Sequence, residues 1–521
     1  MTLPPEIITE WLSRDLATYE EVKDFTRKEV LADIKELKPR PKFYGEKHWL
    51  HQLCCFVIGV YNPEFLYFLD MGMGKSRIVL DLFAYYILIG KVNKGLVVVP
   101  NITNIDSWID EAKLFQPHLK IIPLYGSSEE RFAVLDEEVD ADVFVINSAG
   151  LVRMFAIPDL IPKKRKTAKK LMVDQKLVKK YSKMFQAFAC DESELIKNIH
   201  SLIYQICLLF SSHCILRFGL TGTPMNKEPE DFWAQFYLVN RGETLGETLT
   251  LFRAMFYKTR KGYWTRYIYK FMKRRKKDFY RIIQNKSLTY KIGDALDMPP
   301  KVYMKRKVNL TPEALVYYGK VVDQVINAKK DYTLMKNSYN RMRQISSGYV
   351  TFKNEDTGKK QFIEFKENPK LDELINVINT IPKGRKIIIV HHYIKTGRII
   401  SKRLKKEKWK HLRLWSGQKR KKEVIRKFRY QDEHDTLVMN YQSGGRGLNL
   451  QASNYVIFFE SPDSASARVQ CEARIWRGGQ KRKCFIIDMI TKKTKDLAIL
   501  ASNRSGRNLL MDLINGKEKW K

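Results

Sequence analysis

The chain has 521 residues, and its 94 Lys and Arg residues against 57 Asp and Glu residues give a formal net charge of +37. Hydrophobic residues make up 44% of the chain, which excludes a mostly disordered protein. So large a positive charge repels itself in the compact state and favours a polyanionic partner, of which nucleic acid is the first.

The cysteines and the N-terminal segment bear on the compartment. Seven cysteines with no C-x-x-C pair indicate neither a disulfide framework nor a zinc module. The start, MTLPPEIITEWLSRDL, lacks a signal-peptide core, and no apolar run approaches the roughly 18 residues of a membrane span. We expect a soluble, intracellular protein in a bacterial or host-cell cytoplasm, without a structural metal. The basic run at 162–166 makes the nucleus the alternative.

Two stretches alternate short apolar runs with amphipathic segments. The first, from about 65 to 220, contains EFLYFLD, GLVVVP, ADVFVIN and CILRFGLTGTP, and the second, from about 370 to 490, contains RKIIIVHH, DTLVMN, NYVIFFE and KCFIIDMI. This alternation predicts two tandem α/β domains with parallel sheets. The predicted division is a helical extension at 1–44, a first domain at 45–240, a basic region at 241–350, a second domain at 351–500 and a tail at 501–521.

Two basic segments interrupt this pattern. Residues 241–350 lack buried β runs and are rich in Lys, Arg and aromatic residues, so we predict that they are mostly helical. A second insertion, at about 162–183, interrupts the first α/β domain. Their cations can contact phosphates and their aromatics can stack on bases, although packing of the aromatics and solvation of the cations is the alternative. The DNA-contact candidates here are Lys273, Arg274, Arg275, Lys276, Lys163 and Lys164.

The loop MGMGKS follows a predicted strand and precedes a predicted helix, as phosphate-binding loops do. Gly72 and Gly74 would let backbone N–H groups approach phosphate oxygens, Lys75 would supply a charge to the β- and γ-phosphates, and Ser76 could ligate Mg²⁺. Leu69 stands where the strict G-x-x-x-x-G-K-[ST] pattern has its first glycine. The alternative is a glycine-rich strand–helix turn that happens to carry a lysine.

Two carboxylates emerge from the end of a later buried run, Ala187–Cys190. Asp191 could hold Mg²⁺, and Glu192 could orient and deprotonate the attacking water, which are the tasks that hydrolysis of a nucleoside triphosphate needs beyond a phosphate loop. The alternative is an acidic first turn of a helix, where carboxylates are favourable.

These residues resemble the motifs of superfamily 2 helicases, and among them the Swi/Snf-type ATPases that translocate on double-stranded DNA. The similarity covers about residues 45–500. In the first half, Gln52 resembles the glutamine that reads adenine, and the later motifs are LDMGMGKS at 69–76, LVVVPNITNIDSWIDEAKLF at 96–115, FVINSAGLV at 144–152, DESE at 191–194 and LTGTP at 220–224.

In the second half the similar segments are RMRQISSG at 341–348, RKIIIVHHY at 385–393, SGGRGLNLQAS at 443–453 and QCEARIWRGGQ at 470–480. The last has the form Q-x-x-x-R-x-x-R-x-G-Q and is the most specific. Arg474 and Arg477 are three apart, which predicts one face of a helix from which both reach a γ-phosphate held by the first domain. A basic helix paired with surface acids, the alternative, would not require Gln470 and Gln480 at these spacings.

The resemblance implies two RecA-like α/β domains with a basic, mostly helical insertion between them. It also implies hydrolysis of ATP with Mg²⁺ to move along double-stranded or branched DNA in replication, recombination or repair. The implied roles are catalysis for Lys75, Glu192, Arg474 and Arg477; ATP binding for Gln52, Gly72, Met73, Gly74, Lys75, Ser76, Gly445 and Gln470; Mg²⁺ binding for Ser76 and Asp191; coupling for Thr221 and Thr223; and DNA contact for Trp108.

The chain departs from the family pattern in two places. Glu194 stands where relatives usually carry His, so its link to the LTGTP segment is expected to differ, and the usual Asn after Pro224 is displaced. We recognise no histone-binding module, which favours a minimal motor of bacterial, phage or viral type. A strand-separating DNA or RNA helicase and a non-catalytic basic nucleic-acid-binding protein are the alternatives.

Overall fold

A computed structural model describes residues 19–137, 140–158, 171–224, 229–261, 267–326, 332–353, 360–415, 418, 420–442 and 448–505. The chain divides into two compact units between Leu296 and Asp297. Each unit has its own parallel β-sheet and its own buried apolar core, which confirms the predicted pair of tandem α/β domains. Among the helices of the described ranges, none is long and apolar enough to cross a membrane.

The first unit is built on a parallel sheet of seven strands in the order β11-β1-β8-β7-β2-β4-β3. The strands of the first unit, four of which lie outside this sheet, are β1 Glu64–Leu69, β2 Gly95–Val99, β3 Ile121–Pro123, β4 Val143–Asn147, β5 Ala156–Pro158, β6 Leu171–Val173, β7 Ala187–Asp191, β8 Leu216–Leu220, β9 Tyr257–Lys261, β10 Tyr267–Phe271 and β11 Ser287–Tyr290. The pairs β5–β6 and β9–β10 are separate antiparallel ribbons.

Several helices of the first unit begin at capping residues. The side chain of Thr26 caps the first helix in a capping box with Glu29, and Asn101 caps the fourth. The helices are α1 Arg27–Glu36, α2 Leu50–Tyr61, α3 Lys75–Leu88, α4 Ile102–Phe115, α5 Ser128–Asp136, α6 Ser148–Phe155, α7 Gln175–Ser182, α8 Leu202–Phe210, α9 Glu230–Asn240, α10 Leu249–Phe256, α11 Lys276–Ile283 and α12 Ile292–Ala295. Short 3₁₀ helices cover Glu20–Asp24, Ser193–Ile196, Ser211–His213 and Lys273–Arg275.

The strand order of the first sheet brings the sequence motifs together. β8 lies between β1 and β7, with Tyr67 and Asp191 both in register with Leu220. All three strands are parallel, so their carboxyl ends meet at one edge of the sheet, which is where α/β proteins bind ligands. The glycine-rich loop, the carboxylates and the LTGTP segment therefore emerge side by side.

The second unit is built on a parallel sheet of six strands in the order β12-β19-β18-β15-β17-β16. Its strands are β12 Lys301–Val308, β13 Tyr349–Lys353, β14 Lys360–Glu364, β15 Ile387–His391, β16 His411–Leu414, β17 Thr436–Asn440, β18 Tyr455–Phe458 and β19 Cys484–Thr491, of which β13 and β14 form a separate antiparallel pair. Its helices are α13 Pro312–Ile326, α14 Tyr332–Ser346, α15 Pro369–Thr380, α16 Ile394–Lys406, α17 Lys421–Tyr430, α18 Ala465–Glu472 and α19 Lys495–Arg504.

The basic region at 241–350 contains the expected helices and also strands that the sequence analysis missed. β11 lies at the edge of the first sheet and β12 at the edge of the second. β12 escaped detection because its sequence, KVYMKRKV, alternates half-buried with exposed side chains instead of forming a buried apolar run. In the insertion at 162–183, β6 pairs with β5, whereas Lys163 and Lys164 lie outside the described residues.

Candidate functional site

A glycine-rich loop joins β1 to helix α3. Gly74, the N-cap residue of this helix, has φ 73° and ψ 38°, and Gly72 has φ 83°. Glycine adopts these left-handed conformations without steric cost, and a side chain at Gly74 would overlap the amide of Gln52. Because Gly74 has no side chain to cap the helix, the first N–H groups of α3 are donors of the kind that bind phosphate.

The ammonium group of Lys75 lies beside this loop. Its Nζ donates to the carbonyl oxygen of Leu69 at 2.9 Å and to that of Asp70 at 3.3 Å. A carboxylate oxygen of Asp70 accepts the N–H of Ile292 at 3.0 Å, which ties the loop to the residue that starts α12. The loop thus holds a positive charge next to the N-terminus of α3, as a phosphate site requires.

Two neighbouring side chains of α2 hold the loop from the other side. His51 Nε2 donates to the carbonyl oxygen of Met73 at 2.9 Å, and Gln52 Nε2 donates to the same oxygen at 3.3 Å. Burial lowers the pKa of His51, which favours the neutral ring. Gln52, which the resemblance assigns to adenine, also accepts the N–H of Trp49 at 3.0 Å. The amide of Gln52 therefore contacts the loop through Nε2 and the N-cap residue of its own helix through Oε1.

Asp191 ends β7 with 9% of its surface exposed. Burial and the charge of Glu192 raise the pKa of Asp191 to about 6, against the opposing effects of the Lys75 charge and a hydrogen bond from Trp108. A buried carboxylate with a raised pKa is a frequent feature of functional sites. A divalent cation at this position would favour the ionised form.

Trp108 lies in the interior and not on a DNA-binding surface, which corrects the DNA contact predicted for it. Its side chain is 1% exposed, and Nε1 donates to a carboxylate oxygen of Asp191 at 3.2 Å. The sequence carried a signal for this burial, because Ile105, Trp108 and Ala112 recur at helical spacing and all three are buried on α4. Trp108 is a residue that orients the carboxylate.

The segment after Asp191 contacts the LTGTP segment through a hydroxyl group. Thr221 Oγ1 donates to a carboxylate oxygen of Glu194 at 2.7 Å and lies 3.5 Å from one of Glu192. The same hydroxyl accepts the N–H of Thr223 at 3.0 Å. Glu192 has the left-handed values φ 54° and ψ 60°, which for a residue other than glycine indicates local backbone strain. Glu194, the departure from the family pattern, is thus the acidic group nearest to Thr221.

A second link between these segments was missed by the sequence analysis. Ser193 Oγ donates to Gln235 Oε1 at 2.6 Å, and Gln235 Nε2 donates to the carbonyl oxygen of Pro224 at 2.8 Å. Gln235 is fully buried on α9. The sequence could have indicated this link, because Gln235 lies inside the apolar run FWAQFYLV and a buried amide needs hydrogen-bond partners.

The residues at this edge of the sheet fit a nucleoside triphosphate with Mg²⁺. The loop with Lys75 fits a polyphosphate, and Asp191 and Ser76 are the oxygen ligands that Mg²⁺ prefers. Mg²⁺ usually takes one or two protein ligands and completes its coordination with phosphate oxygens and water. A lone carboxylate and a hydroxyl are therefore sufficient protein donors.

In the second unit, Arg474 and Arg477 follow α18 and do not lie on it, which corrects the predicted helix face. α18 ends at Glu472, and the carbonyl oxygen of Arg474 accepts the N–H of Leu450 at 3.1 Å, a partner outside the helix. The guanidinium of Arg474 is buried and donates to the carbonyl oxygen of Leu448 at 3.3 Å. Arg477 is half-buried.

The two glutamines of this motif differ in their surroundings. Gln480 is buried, and its Nε2 lies within 3.2 Å of the carbonyl oxygens of Gln451, Ser453 and Ile475. Gln480 therefore joins the turn after α18 to the segment that contains Gln451 and Ser453. Gln470 is half-buried and donates to Ser466 Oγ at 3.4 Å. Gly445 lies outside the described residues.

The remaining DNA-contact candidates lie where the β9–β10 ribbon leads into α11. Lys273, Arg274 and Lys276 are exposed. Arg275 is half-buried and pairs with Asp278 at 3.2 Å, so part of its charge is neutralised within the protein.

Two family models match the chain. The model of the SNF2-related domain matches residues 56–362, and that of the helicase conserved C-terminal domain matches residues 369–479. The first covers more than half of the chain and the second follows it directly, so the two together span both units.

The chain is also similar to curated proteins and to solved structures. It is 24% identical to a putative ATP-dependent helicase/translocase, YwqA, of Bacillus subtilis strain 168, over 87% of this chain and 46% of that protein, and 24% identical to the ATP-dependent helicase FUN30 of Saccharomyces cerevisiae, over 84% and 44%. The chain spans less than half the length of these relatives. The Sulfolobus solfataricus SWI2/SNF2 ATPase core in complex with dsDNA matches with a TM-score of 0.39 and 20% identity, over 91% of this chain and 95% of that one.

Proposed function

The chain belongs to the SNF2-related family of helicases in superfamily 2, and from that membership we propose that it is a nucleic-acid-stimulated ATPase that moves along double-stranded or branched DNA. One observation carries the proposal. The glycine-rich loop, the carboxylates and the Thr221 segment emerge from three adjacent parallel strands, and a hydrogen bond joins Thr221 to Glu194. This arrangement can bind a nucleotide and transmit its hydrolysis to a neighbouring segment.

In the proposed mechanism each residue of the first unit has a separate task. Gly72, Gly74 and the N-terminus of α3 hold the phosphates, and Lys75 moves its ammonium group from the carbonyls of the loop to the nucleotide. Asp191 and Ser76 would hold Mg²⁺, which when bound neutralises charge on the phosphate oxygens. Trp108 keeps the Asp191 carboxylate in place.

Glu192 and Thr221 are proposed to connect hydrolysis with movement. Glu192 orients the attacking water and accepts its proton. Loss of the γ-phosphate then alters the segment from Asp191 to Glu194, and Thr221 passes this change to the LTGTP segment through its hydrogen bond to Glu194. In the second unit, Arg477 takes part in hydrolysis as a source of positive charge for the transition state.

Charge and family membership support DNA as the partner. The net charge of +37 provides the electrostatic attraction that phosphate contacts need. One relative, of Drosophila ananassae, is called a DNA repair and recombination protein, RAD54-like, and is 28% identical over 26% of this chain and 17% of that protein. Duplex tracking, and not strand separation, is the mode that we propose for this chain.

The test is steady-state ATP hydrolysis by the purified chain with no nucleic acid, single-stranded DNA, duplex DNA, a forked junction and RNA, at one moderate salt concentration. We expect the strongest stimulation by duplex or forked DNA. Stimulation only by single strands or RNA would favour a strand-separating helicase, and no hydrolysis under any condition would favour a non-catalytic nucleic-acid-binding protein.

The site assignment is tested by Lys75→Ala. We expect it to abolish hydrolysis and to leave DNA binding intact, because the proposed ligand of the lysine is the nucleotide and not the DNA. Lys91→Ala is the matched control, since it removes an equal charge from an exposed turn just beyond the other end of α3. DNA-stimulated turnover that persisted in Lys75→Ala would contradict the assignment.

A further inference from the structure

The β9–β10 ribbon has two unlike faces. In its register Tyr257 lies opposite Phe271, and Lys258 lies opposite Lys270. Side chains directly opposite each other in an antiparallel pair share one face, and successive residues alternate between faces. The aromatic pair and the lysine pair therefore lie on opposite faces of the ribbon.

The aromatic face holds the ribbon on the first unit. The rings of Tyr257 and Phe271 pack edge to face with centroids 5.5 Å apart, and Phe271 packs on Phe279 of α11 at 5.8 Å. The guanidinium of Arg253 lies 4.2 Å from the ring centroid of Tyr269 and is itself fixed by two hydrogen bonds to Glu230. An isolated two-stranded ribbon is only marginally stable, so these contacts are what keep this one folded.

The opposite face carries exposed cations without acidic partners in the described part of the chain. Lys258, Arg260 and Lys270 are all exposed, and none forms an ion pair with a described carboxylate. The sequence from 258 to 277 contains ten Lys and Arg residues and no Asp or Glu. Directly opposed like charges destabilise a strand pair, so Lys258 and Lys270 weaken the ribbon that bears them.

Charges that oppose folding indicate a ligand that compensates for them. We propose that the face of the ribbon formed by Lys258, Arg260 and Lys270 binds the sugar–phosphate backbone of duplex DNA, with Lys273 and Arg274 continuing this contact toward α11. The proposal rests on the proposed function and deepens it, since it adds a DNA contact that no family motif supplies. Lysines contact phosphates as point charges, so we expect the ribbon to bind without preference for sequence.

The test compares the double variant Lys258→Gln/Lys270→Gln with the control Lys28→Gln/Lys35→Gln. The control removes the same charge from exposed positions on α1, where acidic residues alternate with the lysines. We expect the ribbon variant to bind duplex DNA severalfold more weakly, and equally so for unrelated DNA sequences. The slope of log K against the logarithm of the salt concentration should become less steep by about 2, or about one per lysine. The control should match the unmodified chain.

Three further readouts separate the possible explanations. ATP hydrolysis without DNA should be unchanged in the Gln variant, because the substitutions leave the proposed nucleotide site intact. The variant Lys258→Arg/Lys270→Arg should bind DNA as the unmodified chain does, because it keeps both positive charges. The Gln variant should also unfold at a temperature no lower than the control, since it relieves repulsion. A ribbon variant with the affinity and salt slope of the control, or a lower unfolding temperature, would overturn the proposal. Absence of DNA stimulation in the unmodified chain would instead count against the proposed function.

Discussion

The indole nitrogen of Trp108 lies 3.2 Å from a carboxylate oxygen of Asp191, and both side chains are buried. The hydrogen bond favours the ionised carboxylate, whereas burial and the charge of Glu192 favour its protonated form. In the proposed mechanism Trp108 therefore acts on hydrolysis through the Asp191 carboxylate.

We expect Trp108→Phe to move the acidic limb of the pH–rate profile to higher pH. Loss of the indole N–H removes a hydrogen bond to the charged carboxylate, worth about 1.5–3 kcal/mol, and raises the pKa of Asp191 above its value of about 6. Because the ionised form binds a cation, turnover should fall most below pH 7 and recover at pH 8 to 9. Uniform loss of activity at every pH would indicate that the indole supports the fold instead. Thermal unfolding of the variant checks this point.

Asp191→Asn should stabilise the protein above pH 6 while abolishing hydrolysis. The pKa of Asp191 is raised on folding, so this group costs no stability below pH 4 and an increasing amount as the pH rises to about 6. Replacing the carboxylate by a neutral amide that still accepts from Trp108 should raise the free energy of unfolding at pH 7 by up to about 3 kcal/mol. Denaturant unfolding at pH 4.5 and pH 7 measures this difference. An equal gain at both pH values would contradict the titration as its cause.

Thr221→Val should uncouple hydrolysis from DNA. The variant keeps the shape of the side chain and removes the hydroxyl that joins the LTGTP segment to Glu194. We expect hydrolysis without DNA to stay within about threefold and stimulation by duplex DNA to be lost, with a cost of about 1–3 kcal/mol for the buried acceptor that loses its donor. Thr221→Ser retains the hydroxyl and should behave as the unmodified chain does. A Val variant that DNA stimulates normally would remove Thr221 from the coupling pathway.

Arg477→Ala should preserve ATP binding and reduce turnover at least about 100-fold, because an arginine that stabilises phosphoryl-transfer charge is worth about 10³–10⁵ in rate. Arg482→Ala, at an exposed position five residues later, is the control. Arg474→Ala should instead lower the unfolding temperature, since the buried guanidinium donates to the carbonyl oxygen of Leu448. Nucleotide binding and single-turnover hydrolysis distinguish these outcomes, and normal turnover in Arg477→Ala would exclude it from hydrolysis.

The parallel sheets could be predicted from the sequence because their strands are buried on both faces. A strand such as VFVIN at 143–147 or IIIVH at 387–391 forms a continuous apolar run, and so it is visible without knowledge of its neighbours. The glycine-rich loop and Asp191 follow such runs, which is why their place at strand ends could also be predicted.

The missed features depend on contacts between residues distant in sequence. The spacing of Arg474 and Arg477 is compatible with a helix, but the bond from Leu450 to the Arg474 carbonyl and the turn held by Gln480 end α18 before them. In the ribbon, the high density of cations concealed the fact that Lys258, Arg260 and Lys270 lie on the opposite face from Tyr257, Tyr269 and Phe271. Cross-strand register, which opposes Lys258 to Lys270, cannot be read from either strand alone.

The contacts of α2 bear on where an active fragment can begin. The SNF2-related match starts at residue 56, but His51 and Gln52, which bind the carbonyl oxygen of Met73, precede that limit. The N-terminal segment in turn holds α2 in place, because Arg27 donates to the carbonyl oxygen of His48. A recombinant fragment trimmed to the family match would leave the glycine-rich loop without these contacts, so its inactivity would reflect the trimming and would not contradict the proposed function.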